Sequence, residues 1–261
     1  MKNTSKSPIK DNPLRNPGQS LQEEVNKILD DEASKYILIG ICSIVFAALE
    51  WWRYYFPTGA SPKIVTLVAV LALVYSVFKL IKIKKKLRNL RQGYSGELAV
   101  GQFLEQVRSS GAVVYHDLLF DGFNIDHVIV SEKGVFAIET KTYSKPAKGE
   151  SIIEYSGDML DIDGFKTDKP LIQARAAAKS LSELIKDTTG RDVEVTSVVL
   201  FPGWYVKATT PTAHVKLWAL NPKALIIFLA NRKPCLSIED QKLIAYHLSR
   251  YIRSGYGYSS K

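Results

Sequence analysis

The segment Asn124–Lys141 reads NIDHVIVSEKGVFAIETK, and the rest of the chain is interpreted outward from it. Two apolar, β-branched runs flank a short polar stretch at residues 132–134, which is the pattern of a β-hairpin. Antiparallel neighbours place the start of the first strand beside the end of the second. Asp126 is therefore expected beside Glu139 and Lys141, and the period of two puts Glu139 and Lys141 on one face. Two carboxylates and a lysine are predicted to meet at one end of a sheet.

This group of side chains has a chemical rationale. Two neighbouring carboxylates repel each other, and a hard divalent cation such as Mg²⁺ or Mn²⁺ relieves the repulsion with oxygen ligands. The alternatives without a metal are an ordinary ion pair between Glu139 and Lys141 and a turn-capping role for Asp126. The three residues together favour a metal site, because clustered buried carboxylates are costly without a cation.

Further elements are predicted on both sides of this hairpin. Helical spacing over Gly93–Ser109 indicates a helix with Glu97 near its start, where it could add a third carboxylate. A helix over Pro170–Lys186 carries Gln173, which could hold water or phosphate. Histidines His116 and His127 are given no ligand role. The other expected elements are strands over 112–120, 193–201 and 214–219, a small hairpin over 152–154 and 159–162, and helices over 222–230 and 238–253. The order predicts a mixed α/β fold.

Two apolar runs precede this domain, uncharged over residues 36–49 and 64–78. Extended to about 36–56 and 62–83, each reaches the roughly 20 residues that a membrane-spanning helix needs. A buried helical hairpin in a soluble protein is the alternative. Neither run has the polar stripe of an amphipathic helix, which favours a transmembrane hairpin. We expect a polar tail with a short helix over residues 1–35 before it and a basic juxtamembrane linker over 84–92 after it.

The distribution of charge predicts the orientation of the hairpin. Residues 1–92 carry 15 basic and 7 acidic side chains, whereas residues 93–261 carry 20 and 19. The basic excess therefore gives no direct argument for nucleic-acid binding by the domain. Seven cations between Lys79 and Arg91 follow the second run and predict a cytoplasmic location for both termini and the domain, at the inner membrane. The same cations suit contact with anionic lipid headgroups.

Several motifs of residues 93–261 resemble a known family. Gly96-Glu97, Asn124-Ile125-Asp126-His127, Ile138-Glu139-Thr140-Lys141 and Gln173 are similar to the NERD, or nuclease-related, domain, which is assigned to the PD-(D/E)xK restriction-endonuclease-like superfamily. The resemblance implies a mixed sheet flanked by helices. It also implies Asp126 and Glu139 as ligands of Mg²⁺ or Mn²⁺, Lys141 as a group that assists catalysis, and Glu97 and Gln173 as supporting residues. We count Glu97 as a third candidate metal ligand because it could add a carboxylate to the site.

These observations lead to a membrane-anchored, metal-dependent nuclease as the leading hypothesis, with DNA favoured over RNA as its substrate. A catalytically silent scaffold with the nuclease fold is the main alternative, and the near-neutral charge of the domain favours it. A channel or transporter is the weakest hypothesis, because two short spans lack inward-facing polar pairs.

Overall fold

The computed structural model of the chain describes residues 13–56, 62–145, 151–209 and 216–254. The chain divides into two compact units. The helical unit is Ser20–Gln92, and the α/β unit combines Met1–Gln19 with Gly93–Lys261.

The helical unit contains the two apolar runs. Helix α1 covers Gln19–Lys27, a π-helical turn covers Ile28–Ala33, α2 covers Ser34–Tyr55, and α3 covers Pro62–Arg108. The pairing of α2 with α3 is close at Gly40, where an added Cβ would lie 3.7 Å from a methyl group of Leu73. Trp51 Nε1 donates a hydrogen bond to Thr66 Oγ1 at 2.9 Å near the other end of the pair. The apolar runs therefore form a helical hairpin.

Apolar side chains cover the outside of this hairpin. Leu38, Phe46 and Leu71 are each more than 60% exposed, at 61%, 65% and 62%. Two helical stretches, Gln19–Tyr55 and Pro62–Arg108, are long and apolar enough to cross a membrane.

Helix α3 differs from the prediction at residues 84–92. We expected a basic linker there and a new helix beginning near Glu97, but residues 84–92 are helical and Glu97 lies in the last third of α3. The segment KKKLRNLRQ has neither Gly nor Pro and consists mainly of strong helix formers. Leu87 and Leu90 also pack against the cluster formed by Ile28, Ala33 and Ile83, so tertiary contacts stabilise the helical form.

The α/β unit is built on a five-stranded sheet in the order β1-β2-β3-β7-β9. Its strands are β1 (Val113–Phe120), β2 (Phe123–Ser131), β3 (Gly134–Thr140), β7 (Val195–Leu200) and β9 (Leu217–Leu220). The first three are antiparallel neighbours, and β7 and β9 add in parallel to β3. The predicted start of the last strand, at His214, lies outside the described residues.

A smaller sheet has the order β6-β5-β4-β8. It consists of β4 (Ile152–Tyr155), β5 (Leu160–Ile162), β6 (Phe165–Thr167) and β8 (Tyr205–Ala208). The hairpin of β4 and β5 was predicted, whereas β6 and β8 were missed. Both are short, and β8 is mostly exposed, so it lacks the apolar alternation by which a strand is recognised.

Helices cover both faces of the larger sheet. Helices α4 (Lys169–Thr189) and α6 (Ile238–Ser254) contribute Leu181, Ile185 and Leu248 to the core on one face. The end of α3 and α5 (Pro222–Asn231) contribute Leu104 and Leu225 to the core on the other. The predicted class, a mixed α/β sheet flanked by helices after an apolar hairpin, is confirmed.

Candidate active site

Helix α3 brings Glu97 to the sheet. Val100, Leu104 and Val107 anchor this helix in the core, and Glu97 precedes Val100 by about one turn on the same face. The Glu97 side chain is consequently buried. A Cβ at the neighbouring Gly96 would overlap the side-chain methyl group of Thr142, so glycine allows the close approach of the helix to the segment that follows β3.

The register of the sheet places Asp126 beside the end of β3. The pairing of β2 with β3 runs as far as His127–Ile138, so the next step sets Asp126 opposite Glu139. The backbone N–H of Thr140 donates to Asp126 Oδ2 at 2.7 Å. This hydrogen bond holds the Asp126 carboxylate beside the end of β3.

Glu139 and Lys141 meet on the strand end, as their spacing predicts. Lys141 Nζ lies 2.6 Å from Glu139 Oε1. The Glu139 side chain is 8% exposed and that of Lys141 is 28% exposed, so the glutamate is buried and the lysine side chain is partly exposed.

Asp117 is a fourth carboxylate that the sequence analysis missed. It is fully buried in β1 at a left-handed backbone conformation, with φ of 51°. Asn124 Nδ2 donates to its Oδ1 at 2.7 Å, and Arg15 Nε donates to its Oδ2 at 2.6 Å. A charged residue within the apolar run VVYHDLLF was the signal that could have identified it.

Burial and mutual repulsion perturb the protonation of this cluster. Burial, followed by the charges of Asp117 and Glu139, raises the pKa of Glu97 to about 8. Burial and the charges of Glu139 and Glu97 raise the pKa of Asp126 well above its ordinary value. Burial disfavours the charged form of Lys141, but the adjacent Glu139 carboxylate outweighs this and raises the pKa of Lys141. The structure therefore brings Glu97, Asp126, Glu139 and Lys141 into one electrostatic group.

The donor set of this group suits a hard cation. Glu97 Oε2 is buried and has no hydrogen-bond partner among the described residues, and an unpartnered carboxylate oxygen is a natural ligand for such an ion. Within the same described part of the chain, however, no three His, Cys, Asp or Glu side chains form a ready metal-binding cluster. The roles of Asp126, Glu139 and Glu97 as ligands stay predictions.

Gln173 and the histidines lie apart from these contacts. The Gln173 side chain is exposed near the start of α4, and its supporting role also stays a prediction. His116 and His127, to which the sequence analysis gave no ligand role, pair with each other, and their Nδ1 atoms lie 2.8 Å apart. The register of β1 with β2 sets these two residues directly opposite each other.

Comparison with known families identifies the segment that carries the cluster. Residues 92–202 match the family model described as Nuclease-related domain, NERD. The match includes Glu97, Asp126, Glu139, Lys141 and Gln173, and it is consistent with the PD-(D/E)xK superfamily. Searches of curated proteins and of solved structures gave no significant match.

Proposed function

We propose that the chain is a membrane-anchored, metal-dependent nuclease that hydrolyses phosphodiester bonds, with DNA favoured over RNA as its substrate. The match of residues 92–202 to the nuclease-related domain model supports this proposal. The observation that carries the proposal is the buried group of Glu97, Asp126 and Glu139 with Lys141 at its surface. Three buried acids in electrostatic contact destabilise a core, and such perturbed groups are typical of functional sites.

Glu97, Asp126 and Glu139 would hold a Mg²⁺ or Mn²⁺ ion in this proposal. The bound ion would polarise the phosphodiester and lower the pKa of a bound water molecule. Thr140 supports the arrangement, because its backbone N–H fixes the Asp126 carboxylate. The raised pKa values of Glu97 and Asp126 mean that the ion would compete with protons for these oxygens.

Lys141 would act as a fixed positive charge. Its raised pKa keeps the ammonium form at neutral pH, so it is a poor general base for a water molecule. The charge on its partly exposed side chain is instead suited to neutralising the charge that develops on the phosphoryl oxygens.

The hairpin would anchor this nuclease in the lipid bilayer. Leu38, Phe46 and Leu71 are largely exposed, and a continuous apolar surface of this kind requires an apolar environment. Seven cations between Lys79 and Arg91 would face the cytoplasm and its anionic headgroups. Arg15 precedes the hairpin and pairs with Asp117, which follows it, and this supports both ends of the hairpin being on the same side.

A nuclease assay tests the site. The purified 261-residue chain in detergent micelles should degrade DNA with Mg²⁺ or Mn²⁺. Asp126→Asn and Lys141→Ala should each lower the rate by roughly a hundredfold or more, because each removes a preorganised charge.

Asp158→Asn and Lys216→Ala are matched controls, since these side chains are 91% and 83% exposed. Both should retain the wild-type rate. An unchanged rate in Asp126→Asn would remove the assignment of the site.

The alternative is a catalytically silent module that keeps the nuclease fold and recruits partners to the membrane. Its support is the lack of a ready metal cluster among the described residues together with the near-neutral charge of residues 93–261. Calorimetric titration with Mn²⁺ separates the two functions, because a wild-type chain that binds no Mn²⁺ favours the silent module.

A further inference from the structure

The seven residues 13–19, here called the N-terminal strap, belong to the α/β unit although the whole helical hairpin separates them in sequence. Arg15 is 7% exposed, and its guanidinium group reaches the fully buried Asp117. Buried charged residues are rare unless they are paired, so this contact ties the strap to β1 specifically. We expected a polar tail with a short helix over residues 1–35, and residues 13–19 of this segment contact the α/β unit.

The strap also reaches Glu97 directly. The backbone N–H of Gly18 donates a hydrogen bond to the Glu97 carboxylate. Gly18 has φ of 68°, and an added Cβ would lie 2.6 Å from Cδ2 of Tyr94. Only glycine combines this left-handed conformation with this closeness to α3. On the next turn of α3, a Cβ at Gly101 would overlap the ring of Pro17, so the helix surface is shaped to receive the strap.

We propose that the N-terminal strap is part of the metal-binding site, with Gly18 and Arg15 as positioning groups for Glu97 and Asp117. The inference rests on the metal-binding role proposed above for Glu97. Gly18 would orient the Glu97 carboxylate, and the buried Oε2 atom of Glu97 would stay available to a cation. Arg15 would anchor the strap and balance the charge of Asp117 behind Glu97. The strap lies outside residues 92–202, so the family match does not include these groups.

Two possible roles of Arg15, positioning Glu97 or contributing charge, predict opposite effects of its removal on cation binding. If Arg15 acted through its charge alone, its removal would make the site more negative and would tighten Mn²⁺ binding. If Arg15 and Gly18 hold Glu97 in place, loss of either weakens binding. Gly18→Ala leaves every charge in the chain unchanged and therefore isolates the positional effect.

The test is calorimetric titration of the full chain in detergent micelles with Mn²⁺ alone. Gly18→Ala keeps the backbone N–H, but its Cβ would clash with Tyr94 and displace this donor from Glu97. The Kd for Mn²⁺ should therefore rise by about tenfold or more, as it does when an outer hydrogen-bond partner is lost at other metal sites. Gly164→Ala is the matched control: Gly164 has φ of 82° with open space around its Cβ position, and it should keep the wild-type Kd.

Arg15→Ala is a second variant, and it tests the proposal even if Gly18→Ala does not fold. It should also weaken Mn²⁺ binding, whereas Arg191→Ala, which removes an exposed ion pair with Asp240, should not. Wild-type or tighter binding by folded Gly18→Ala or Arg15→Ala would overturn the role of the strap and leave the proposed function intact. A wild-type chain that binds no Mn²⁺ would overturn both.

Discussion

Glu97 is a buried carboxyl group that holds its proton near neutral pH. Its pKa is raised from an ordinary 4.5 to about 8 by burial and by the charges of Asp117 and Glu139. Between these two values the folded chain binds this proton and the unfolded chain does not. Stability contributed by Glu97 is therefore complete below about pH 4.5 and is lost as the pH rises towards 8.

Replacement of Glu97 by Gln should remove this pH dependence. In the presence of a chelator, the free energy of unfolding of the wild-type chain should fall relative to that of Glu97→Gln between pH 4.5 and pH 8. The change should be on the order of 2 to 4 kcal/mol. Chemical denaturation in detergent micelles at a series of pH values measures it.

Glu183→Gln is the control for this titration, because Glu183 is 63% exposed on α4. Its stability should follow the wild-type curve at every pH. Parallel curves for Glu97→Gln and the wild type would show that Glu97 ionises normally.

At the scale of secondary structure, helix α3 and strands β2 and β3 position the side chains of the site. Leu104 is fully buried one turn beyond Val100, and it fixes the face of α3 that carries Glu97. On the strands, the turn between β2 and β3 sets the register and thereby the meeting of Asp126 with Glu139. The helix depends on core packing, whereas the strand pair depends on a local turn.

Truncation of the α3 anchor should affect both stability and cation binding. Leu104→Ala should lower the free energy of unfolding by about 2 to 5 kcal/mol, because it leaves a cavity in a packed core. It should also weaken Mn²⁺ binding, because Glu97 loses its support. Denaturant titration and calorimetry measure the two effects.

Ile172→Ala in α4 serves for comparison, since Ile172 is 55% exposed. It should change stability by less than about 1 kcal/mol. A Leu104→Ala chain as stable as Ile172→Ala would contradict the role of this core contact.

For the whole molecule, the α/β unit combines chain segments from before and after the hairpin. The buried pair of Arg15 with Asp117 can form within one chain only if both segments lie on the same side of a membrane. The cations that follow the second apolar run independently predict the same side for both segments.

Labelling of single cysteines tests this topology. In a background of Cys42→Ser and Cys235→Ser, a membrane-impermeant maleimide should label Tyr55→Cys in intact cells. Tyr55 is 75% exposed at the end of α2. Asn26→Cys and Lys179→Cys should be labelled only after permeabilisation. Two spans place Asn26 and Lys179 on the same side of the membrane. Labelling of one of these positions but not the other in intact cells would therefore contradict two spans.

Local patterns in the sequence determined much of this protein. Two apolar, β-branched runs and a compact turn predicted the β2–β3 hairpin, and the period of two along a strand predicted the meeting of Glu139 with Lys141, because both signals act between near neighbours. The uncharged runs likewise predicted the apolar hairpin.

Tertiary structure alone decided the rest of the site. Arg15 and Asp117 are 102 residues apart in sequence, and the whole hairpin lies between Gly18 and Glu97 in sequence. Neither contact therefore leaves a periodic signal. The edge strand β8 likewise exists through its pairing with β4. Such contacts depend on which distant surfaces the folded chain brings together, whereas hydrophobic periodicity reports only how each segment faces its own core.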